Sequence, residues 1–297
     1  MSSAEGLPKD KYSLKKLGLP VRSRGDTFVH WLAPAPRVGI THTSAHHMRR
    51  SMKFSAFLFS LLVACVASIA HGEVKNVVLV HGAFADGSGW KPVAGILEKG
   101  GYTVYVVQEP LTSFAADVAA TRAVLDRSGP CVLVGHSWAG MIITELGAHP
   151  SVKSLVYVDA FQPQVGETAG GLQNKTPPAG GKNVVPYGAG FVYIKPEAFA
   201  ADFAGGVPQS VAHFMAISQA PIAVASFDAT VTVAGWSKKP SYATVGTKDR
   251  EIDPELLRFM TKRAKSETIE LPAPHAVFLT HPKEVAALIE KAAKSAE

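Results

Sequence analysis

The sequence predicts an α/β domain in which about six mostly parallel strands form one sheet with helices on both faces. From residue 74 onward, apolar strand-length runs alternate with amphipathic helical segments. The runs are almost continuously apolar, as in parallel strands covered on both faces. The chain of 297 residues is 47% hydrophobic and 18% charged, which is enough apolar material for a large core.

The first seven elements follow from β-branched runs that end at turns and from apolar residues at helical spacing. Glycines close the first two helical patterns, and a glycine turn follows the first strand. Strands are predicted at 74–82, 102–108, 131–136 and 152–161, and helices at 90–100, 114–129 and 137–149.

The alternation then stops over residues 162–238, which are rich in Gly, Pro, Ala and scattered aromatics. We interpret this stretch as a cap, built of short helical pieces, inserted between the fourth and fifth strands. The remaining elements are predicted as strands at 240–247 and 267–272 and helices at 253–264 and 282–295. Asp253 is the predicted N-cap of its helix, with Pro254 at the first helical position.

The N-terminal region resembles an export signal. The basic stretch MRRSMK is followed by seventeen apolar-rich residues and then by small residues suited to cleavage after Ala70 or Gly72. We therefore predict a signal peptide at 48–72, a secreted or periplasmic protein, and no stable membrane span after cleavage. The alternative is a lipoprotein anchored through Cys65, because LVAC (62–65) resembles a lipobox.

Residues 1–47 precede this signal and lack lasting periodicity, which indicates a disordered leader or a start codon assigned too early, with Met48 or Met52 as the true start.

Residues 1–72 contain 10 Lys and Arg against 3 Asp and Glu, whereas residues 73–297 contain 20 against 21. The domain is thus close to neutral, so a nucleic-acid partner is not expected. The sequence gives no basis for predicting the oligomeric state.

A candidate nucleophile is Ser137, in the stretch GHSWAG (135–140) between a predicted strand and a predicted helix. The stretch is close to the pattern G-x-S-x-G, with Ala139 in place of the last glycine and Gly140 directly after it. In that setting the pattern describes a tight turn that holds a serine hydroxyl in the open and requires small neighbours. The same serine could simply cap the helix. HGAFADGSGW (81–90) ends the first strand, and there the amide of Ala83, with that of Trp138, could bind an oxyanion.

A serine nucleophile needs a base and an acid, which follow it in the order Ser, acid, His on this type of sheet. His275 is the preferred base; His281 is the competitor but stands where it could cap the last helix. Asp249, just after the fifth strand, is the preferred acid, with Asp159 and Asp253 as alternatives. The two cysteines form no CxxC or zinc-type spacing, so neither a metal nor another cofactor is expected, and Cys131 is interpreted as a small buried hydrophobe.

Residues 74–297 resemble the α/β-hydrolase superfamily, most closely bacterial relatives of the plant methyl-esterase and hydroxynitrile-lyase branch. The resemblance is carried by VVLVHGAFADGSGW, VLVGHSWAG, YVDAF, GTKDREIDPELLRFM and PHAVFLTHP. It implies Ser137, His275 and Asp249 as a catalytic triad, and the amides of Ala83 and Trp138 as the oxyanion hole.

The same resemblance bears on the reaction. The lyases of that branch have a threonine in place of the glycine of HG and a lysine after the catalytic histidine, whereas this chain has Gly82 and Ala276. Ester hydrolysis is therefore expected, without a cofactor. The aromatic residues of the predicted cap suggest a small apolar or aromatic ester. The alternatives are lyase, C–C hydrolase or perhydrolase chemistry on the same residues, or a ligand-binding protein with a vestigial site.

Overall fold

A computed structural model describes residues 74–295 of the chain. The predicted leader (1–47) and signal peptide (48–72), with Cys65, lie outside the described residues. None of the helices within 74–295 is long and apolar enough to cross a membrane.

Six parallel strands form the central sheet, in the order β2-β1-β3-β4-β8-β9. Every residue of the third strand is buried, because helices cover the sheet on both sides. The fold-class prediction is confirmed, and each of the six predicted strands is present. The strands are β1 Asn76–Val80, β2 Thr103–Val107, β3 Cys131–His136, β4 Val152–Val158, β8 Ser241–Gly246 and β9 Glu267–Leu271.

The helices around the sheet begin and end close to the predicted positions. The Ser113 side chain accepts a hydrogen bond from the amide of Ala116 at the start of the helix Phe114–Ser128. Asp253 accepts one from the amide of Glu255 at the start of the helix Pro254–Ala264, and this cap was predicted. A short helix between His275 and His281 was not predicted. The helices are α1 Lys91–Lys99, α2 Phe114–Ser128, α3 Ala139–Leu146, α7 Pro254–Ala264, α8 Val277–Thr280 and α9 Pro282–Lys294.

The inserted segment (residues 162–238) lies between β4 and β8. It contains short helices, as predicted, and also a three-stranded antiparallel sheet in the order β5-β6-β7, which was not predicted. Strands of two to four residues are too short to show a periodic pattern. The elements are α4 Ala169–Gln173, β5 Val184–Tyr187, β6 Phe191–Ile194, α5 Pro196–Asp202, α6 Gln209–Ser218 and β7 Ile222–Ala223, with 3-10 turns at Gly181–Asn183, Val224–Asp228 and Gly235–Ser237.

Because the central strands are parallel, the loops after β1, β3, β8 and β9 all leave from the carboxyl ends of the strands, which we call the sheet edge. This edge is where ligands bind in open α/β sheets. The preferred triad residues and the two candidate oxyanion residues each follow one of these strands, and the alternative acid Asp159 follows β4. Cys131 begins β3 and is fully buried, consistent with its interpretation as a small hydrophobe.

Candidate active site

Ser137 lies in the turn between β3 and α3, outside the helix, and its φ of 54° is in the left-handed region. For a residue other than glycine, such a backbone costs about 1–3 kcal/mol and persists only where the surroundings enforce it. Here the Ser137 amide donates to the carbonyl of Val158, and its carbonyl accepts from the amides of Gly140 and Phe161. The hydroxyl is therefore carried on a turn fixed by β4 and the loop that follows it.

Gly140, the last residue of the stretch GHSWAG, has no room for a side chain. A Cβ on Gly140 would lie 1.9 Å from the carbonyl oxygen of Phe161. A Cβ on Gly135 would lie 2.9 Å from the carbonyl oxygen of Ala139. The small residues predicted from the motif are thus needed to let the turn approach the neighbouring backbone.

His275 and Asp249 are in hydrogen-bond contact. His275, in the loop after β9, places Nδ1 2.7 Å from Oδ2 of Asp249, in the loop after β8. The other carboxyl oxygen, Oδ1, accepts from the amides of Glu251 at 2.8 Å and Ile252 at 3.0 Å. With Asp249 as acceptor, the proton of His275 is on Nδ1, and Nε2 carries the lone pair.

Both side chains are buried: His275 is 1% exposed and Asp249 is 6% exposed. Burial lowers the pKa of His275, so the imidazole is neutral in the resting protein at neutral pH. Burial raises the pKa of Asp249 above its ordinary value, while the hydrogen bonds that its carboxyl group accepts from the Ile252 and Glu251 amides lower it.

The alternative acids and the competing histidine have other partners. Oδ1 of Asp159 accepts from the hydroxyl of Thr244 and the amide of Gly246. The carboxylate of Asp253 caps α7. His281 immediately precedes α9, and its Nδ1 lies 2.9 Å from the hydroxyl of Thr280. Of the candidates in the described chain, only Asp249 is hydrogen-bonded to His275.

The peptide between Gly82 and Ala83 is oriented by His81, the first residue of the stretch HGAFADGSGW. Nε2 of His81 accepts from the amide of Glu109 at 2.9 Å, so the ring proton is on Nδ1, which donates to the carbonyl of Gly82 at 2.9 Å. The N–H of a trans peptide points away from its C=O. The Ala83 amide is therefore directed away from His81, and it donates to no group within residues 74–295.

Trp138 is anchored through its indole ring. Nε1 donates to Oδ2 of the buried Asp117 at 3.0 Å, and Oδ1 of Asp117 accepts from the amide of Leu111. The ring of Phe227, from the inserted segment, packs against the indole with centroids 5.6 Å apart. The main-chain amide of Trp138 donates to no other group in the described chain. The main-chain amides of Ala83 and Trp138 are thus both without a hydrogen-bond partner in the described chain.

A second histidine, His136, packs against His275 with ring centroids 4.6 Å apart. Its Nε2 lies 3.0 Å from the carbonyl oxygen of His275 and donates to it, which fixes the loop that carries the candidate base. Burial and the neighbouring His275 lower the pKa of His136 well below its usual range, so it is neutral. A Cβ on Gly82 would lie 2.8 Å from Cβ of Ser137 and 2.9 Å from Nδ1 of His136, so a side chain there would press on the turn.

A cavity of about 340 Å³ brings these groups together. Ser137, His275, Ala83 and Trp138 all line it, and most of the remaining wall is apolar and aromatic, including Phe161. Three polar side chains also line it: Gln173, Asn174 and Glu251. The sequence analysis identified no substrate-binding residues, and no motif marks these three, because they reach the cavity only through the tertiary fold.

Known structures share this architecture. The pyrethroid hydrolase from Sphingobium faniae JZ-2 superposes with a TM-score of 0.64 at 21% identity, over 75% of this chain and 98% of that one. Polyneuridine aldehyde esterase gives 0.65 at 16% identity, over 73% and 98%. A methylesterase from Arabidopsis gives 0.61 at 19% identity, over 74% and 98%. At these identities the likeness establishes a common fold.

A sequence relative is the carbendazim hydrolyzing esterase of Nocardioides sp. (strain SG-4G), 31% identical over 120 residues, which are 35% of this chain. The match spans about half the length of that curated relative (50%). The model of the alpha/beta hydrolase family matches residues 77–288, most of the described domain. The family resemblance predicted from the motifs is confirmed: this chain belongs to the alpha/beta hydrolase family.

Proposed function

We propose that the protein is a serine hydrolase that cleaves small carboxylic esters. The observation that carries the proposal is the 2.7 Å contact of His275 Nδ1 with Asp249, in the wall of a cavity that Ser137 also lines. A buried neutral imidazole oriented by a carboxyl group is the arrangement that a serine nucleophile needs.

In the proposed reaction, Nε2 of His275 removes the proton from the Ser137 hydroxyl as Oγ attacks the ester carbonyl. The carbonyl oxygen becomes an oxyanion and accepts hydrogen bonds from the amides of Ala83 and Trp138. Asp249 holds the ring and stabilises the imidazolium. The C–O bond to the alcohol then breaks, and His275 returns its proton to the leaving oxygen.

The resulting acyl-enzyme is released by water. His275 removes a proton from water, the hydroxide attacks the acyl carbonyl, and Ser137 leaves with the proton returned by His275. The chemistry needs no metal or organic cofactor. The lack of space for a side chain at Gly82 favours this reading over the lyase alternative, because the lyases of the related branch have a threonine there.

The substrate is proposed to be a small ester with an apolar or aromatic part, because the cavity of about 340 Å³ has a largely apolar wall. Relatives named as hydrolases or esterases support ester cleavage.

We also propose that residues 48–72 direct export to the periplasm or medium. N-terminal sequencing of the exported protein tests this: retention of the apolar stretch would overturn it, and a lipid on Cys65 would establish the lipoprotein alternative.

Labelling with a fluorophosphonate probe and hydrolysis of p-nitrophenyl esters of graded acyl length test the reaction. We expect Ser137 to be labelled in the wild-type protein, and Ser137→Ala to lose labelling and turnover together. A correctly folded wild-type protein that is neither labelled nor active would refute the proposal. Turnover that persists in Ser137→Ala would show that another group performs the chemistry.

A further inference from the structure

Glu251 is a carboxyl group in the cavity wall that the proposed mechanism does not use. It lies two residues after Asp249, is 6% exposed, and lines the same cavity as Ser137 and His275. Its main chain is fixed on both sides: the amide donates to Oδ1 of Asp249, and the carbonyl accepts from Nε2 of Gln173 at 3.0 Å. The position of the side chain is therefore set by the same loop that carries the candidate acid.

The carboxyl group itself lacks a partner. Oε1 is enclosed without a hydrogen bond, and Oε2 makes none to any residue within 74–295. Oε1 faces the inserted segment, where a Cβ on Gly180 would lie 2.5 Å away. Buried polar groups are nearly always paired, so an unpaired one at the wall of a binding cavity indicates a group whose partner is a ligand.

The charges around Glu251 determine which form it adopts. The carboxyl groups of Asp249 and Asp202 face it, and the one nearby cation among its described electrostatic neighbours, Arg250, donates from Nε to Asp202 at 2.8 Å. Burial and the two carboxyl groups raise the pKa of Glu251 to about 8. At neutral pH it is mainly a carboxylic acid, which can donate a hydrogen bond.

We propose that Glu251 selects esters that carry a second, neutral hydrogen-bond acceptor, such as a ketone, an ether or a second carbonyl, in addition to the scissile ester. The inference rests on the proposed ester hydrolysis and names the substrate class of that site. The buried donor would be left unpaired by a purely hydrocarbon ester, and this penalty is how a polar group in an apolar pocket discriminates.

Matched pairs of methyl or acetate esters test the inference by pH-stat assay. Methyl acetoacetate is compared with methyl butyrate, methyl levulinate with methyl valerate, and methoxyethyl acetate with butyl acetate, so that the acceptor is offered on either side of the ester and at two distances. We expect kcat/KM to favour the acceptor ester roughly 10-fold in at least one pair. Because each comparison is a ratio, titration of the triad cancels.

Two variants separate donation from packing. Glu251→Gln keeps a donor and should keep the preference, whereas Glu251→Met keeps the length without a donor and should bring the ratio to about one. Glu255→Gln changes an exposed carboxyl on α7, 73% exposed, and is the matched control that should leave the ratio unchanged. Circular dichroism and the midpoint of thermal unfolding show whether Glu251→Met is folded.

The pH dependence provides a further readout. The wild-type ratio should fall as the pH rises through about 8, where Glu251 loses its proton, and the ratio of Glu251→Gln should stay flat. Equal rates within every pair, or a preference that survives in Glu251→Met, would overturn the inference. So would a preference for an ester bearing a trimethylammonio group that disappears in Glu251→Gln, since this would show an anionic site. Absence of Ser137-dependent hydrolysis of every ester would instead refute the proposed function.

Discussion

The edge of the central sheet and the inserted segment contribute to the same cavity in different ways. At the sheet edge, short loops hold Ser137, Asp249 and His275 by backbone contacts: the Ser137 turn is fixed by three main-chain hydrogen bonds, and Oδ1 of Asp249 accepts from two amides. The inserted segment instead supplies side chains that line the cavity without being tied to the reacting groups, such as Val192.

The surfaces of the two regions also differ. Of the eight large hydrophobic side chains that are exposed in the described chain, six lie in the inserted segment: Val165, Tyr187, Val211, Phe214, Ile217 and Val224. The sheet and its helices cover their apolar residues much more completely. In the proposed function the sheet edge carries the reacting groups, and the inserted segment forms part of the cavity that would bind the substrate. Substitutions at the edge should therefore affect turnover, and substitutions in the segment should affect substrate preference.

The largest effect is expected for Asp249→Asn. The amide cannot accept the Nδ1 proton through nitrogen and favours the wrong tautomer of His275, so kcat should fall about ten-thousand-fold. The matched control is Asp253→Asn, four residues away, because asparagine also caps a helix well and Asp253 contacts only the start of α7. Steady-state kinetics on p-nitrophenyl acetate measures both.

An equal loss of kcat in the two variants would mean that the loss comes from disturbing the loop after β8, and not from breaking the contact of Asp249 with His275. Near-normal turnover of Asp249→Asn would remove Asp249 from the proposed mechanism. In that case Asp159, which is buried beside it and has an unpaired Oδ2, would have to be reconsidered as the acid.

Gly140→Ala should destabilise the fold at the sheet edge. The added Cβ would be 1.9 Å from the carbonyl oxygen of Phe161, and neither backbone can move without disturbing the Ser137 turn. We expect the free energy of unfolding to fall by about 3 kcal/mol, measured by urea denaturation. The control is Gly95→Ala in α1, where nothing lies within 4 Å of the added atom.

Gly95→Ala should raise the free energy of unfolding by about 0.5–1 kcal/mol, because alanine has the better helix propensity. If Gly140→Ala were as stable as the wild-type protein, the turn would be more adaptable than its contacts imply. The contrast between the rigid edge and the inserted segment would then have to be abandoned.

The sequence predicted the sheet edge better than the cavity. Strands β1, β3 and β8 are rich in β-branched and apolar residues, and β9 combines charged with apolar or β-branched residues. The ends of these strands, and hence the neighbourhood of Ser137, Asp249 and His275, could therefore be located from local patterns alone. The pairing of Asp249 rather than Asp159 with His275 was only a preference, because the pattern does not give side-chain directions after a strand end.

The contacts that the sequence did not predict join residues far apart in the chain. His81 and Glu109 are 28 residues apart, and their contact joins the loops after β1 and β2. Trp138 and Asp117 are 21 residues apart, and their contact joins the turn after β3 to α2. Glu251 likewise lines the cavity together with residues that are distant from it in the sequence. The strands β5, β6 and β7 are too short to leave a periodic signal, so the part of the cavity wall that the inserted segment forms could not be predicted from the sequence.

The smallest effect is expected in the inserted segment, for Phe227→Leu. Phe227 lines the cavity and packs edge-on against Trp138 at 5.6 Å between centroids, without a hydrogen bond to Ser137 or His275. Loss of an aromatic pair weakens binding by about 0.5–1.5 kcal/mol. KM for an aromatic ester such as p-nitrophenyl benzoate should therefore rise roughly 3- to 10-fold, while kcat changes much less.

Phe214→Leu is the control for this last prediction, because Phe214 also belongs to the inserted segment but is 64% exposed and lines a different cavity. It should leave KM unchanged. If Phe227→Leu lowered kcat for benzoate and acetate esters alike, the indole of Trp138 would be transmitting the change to the neighbouring amide. The inserted segment would then help to hold the oxyanion site, since a ring that only contacts substrate has no means of slowing the turnover of an acetate ester too small to reach it.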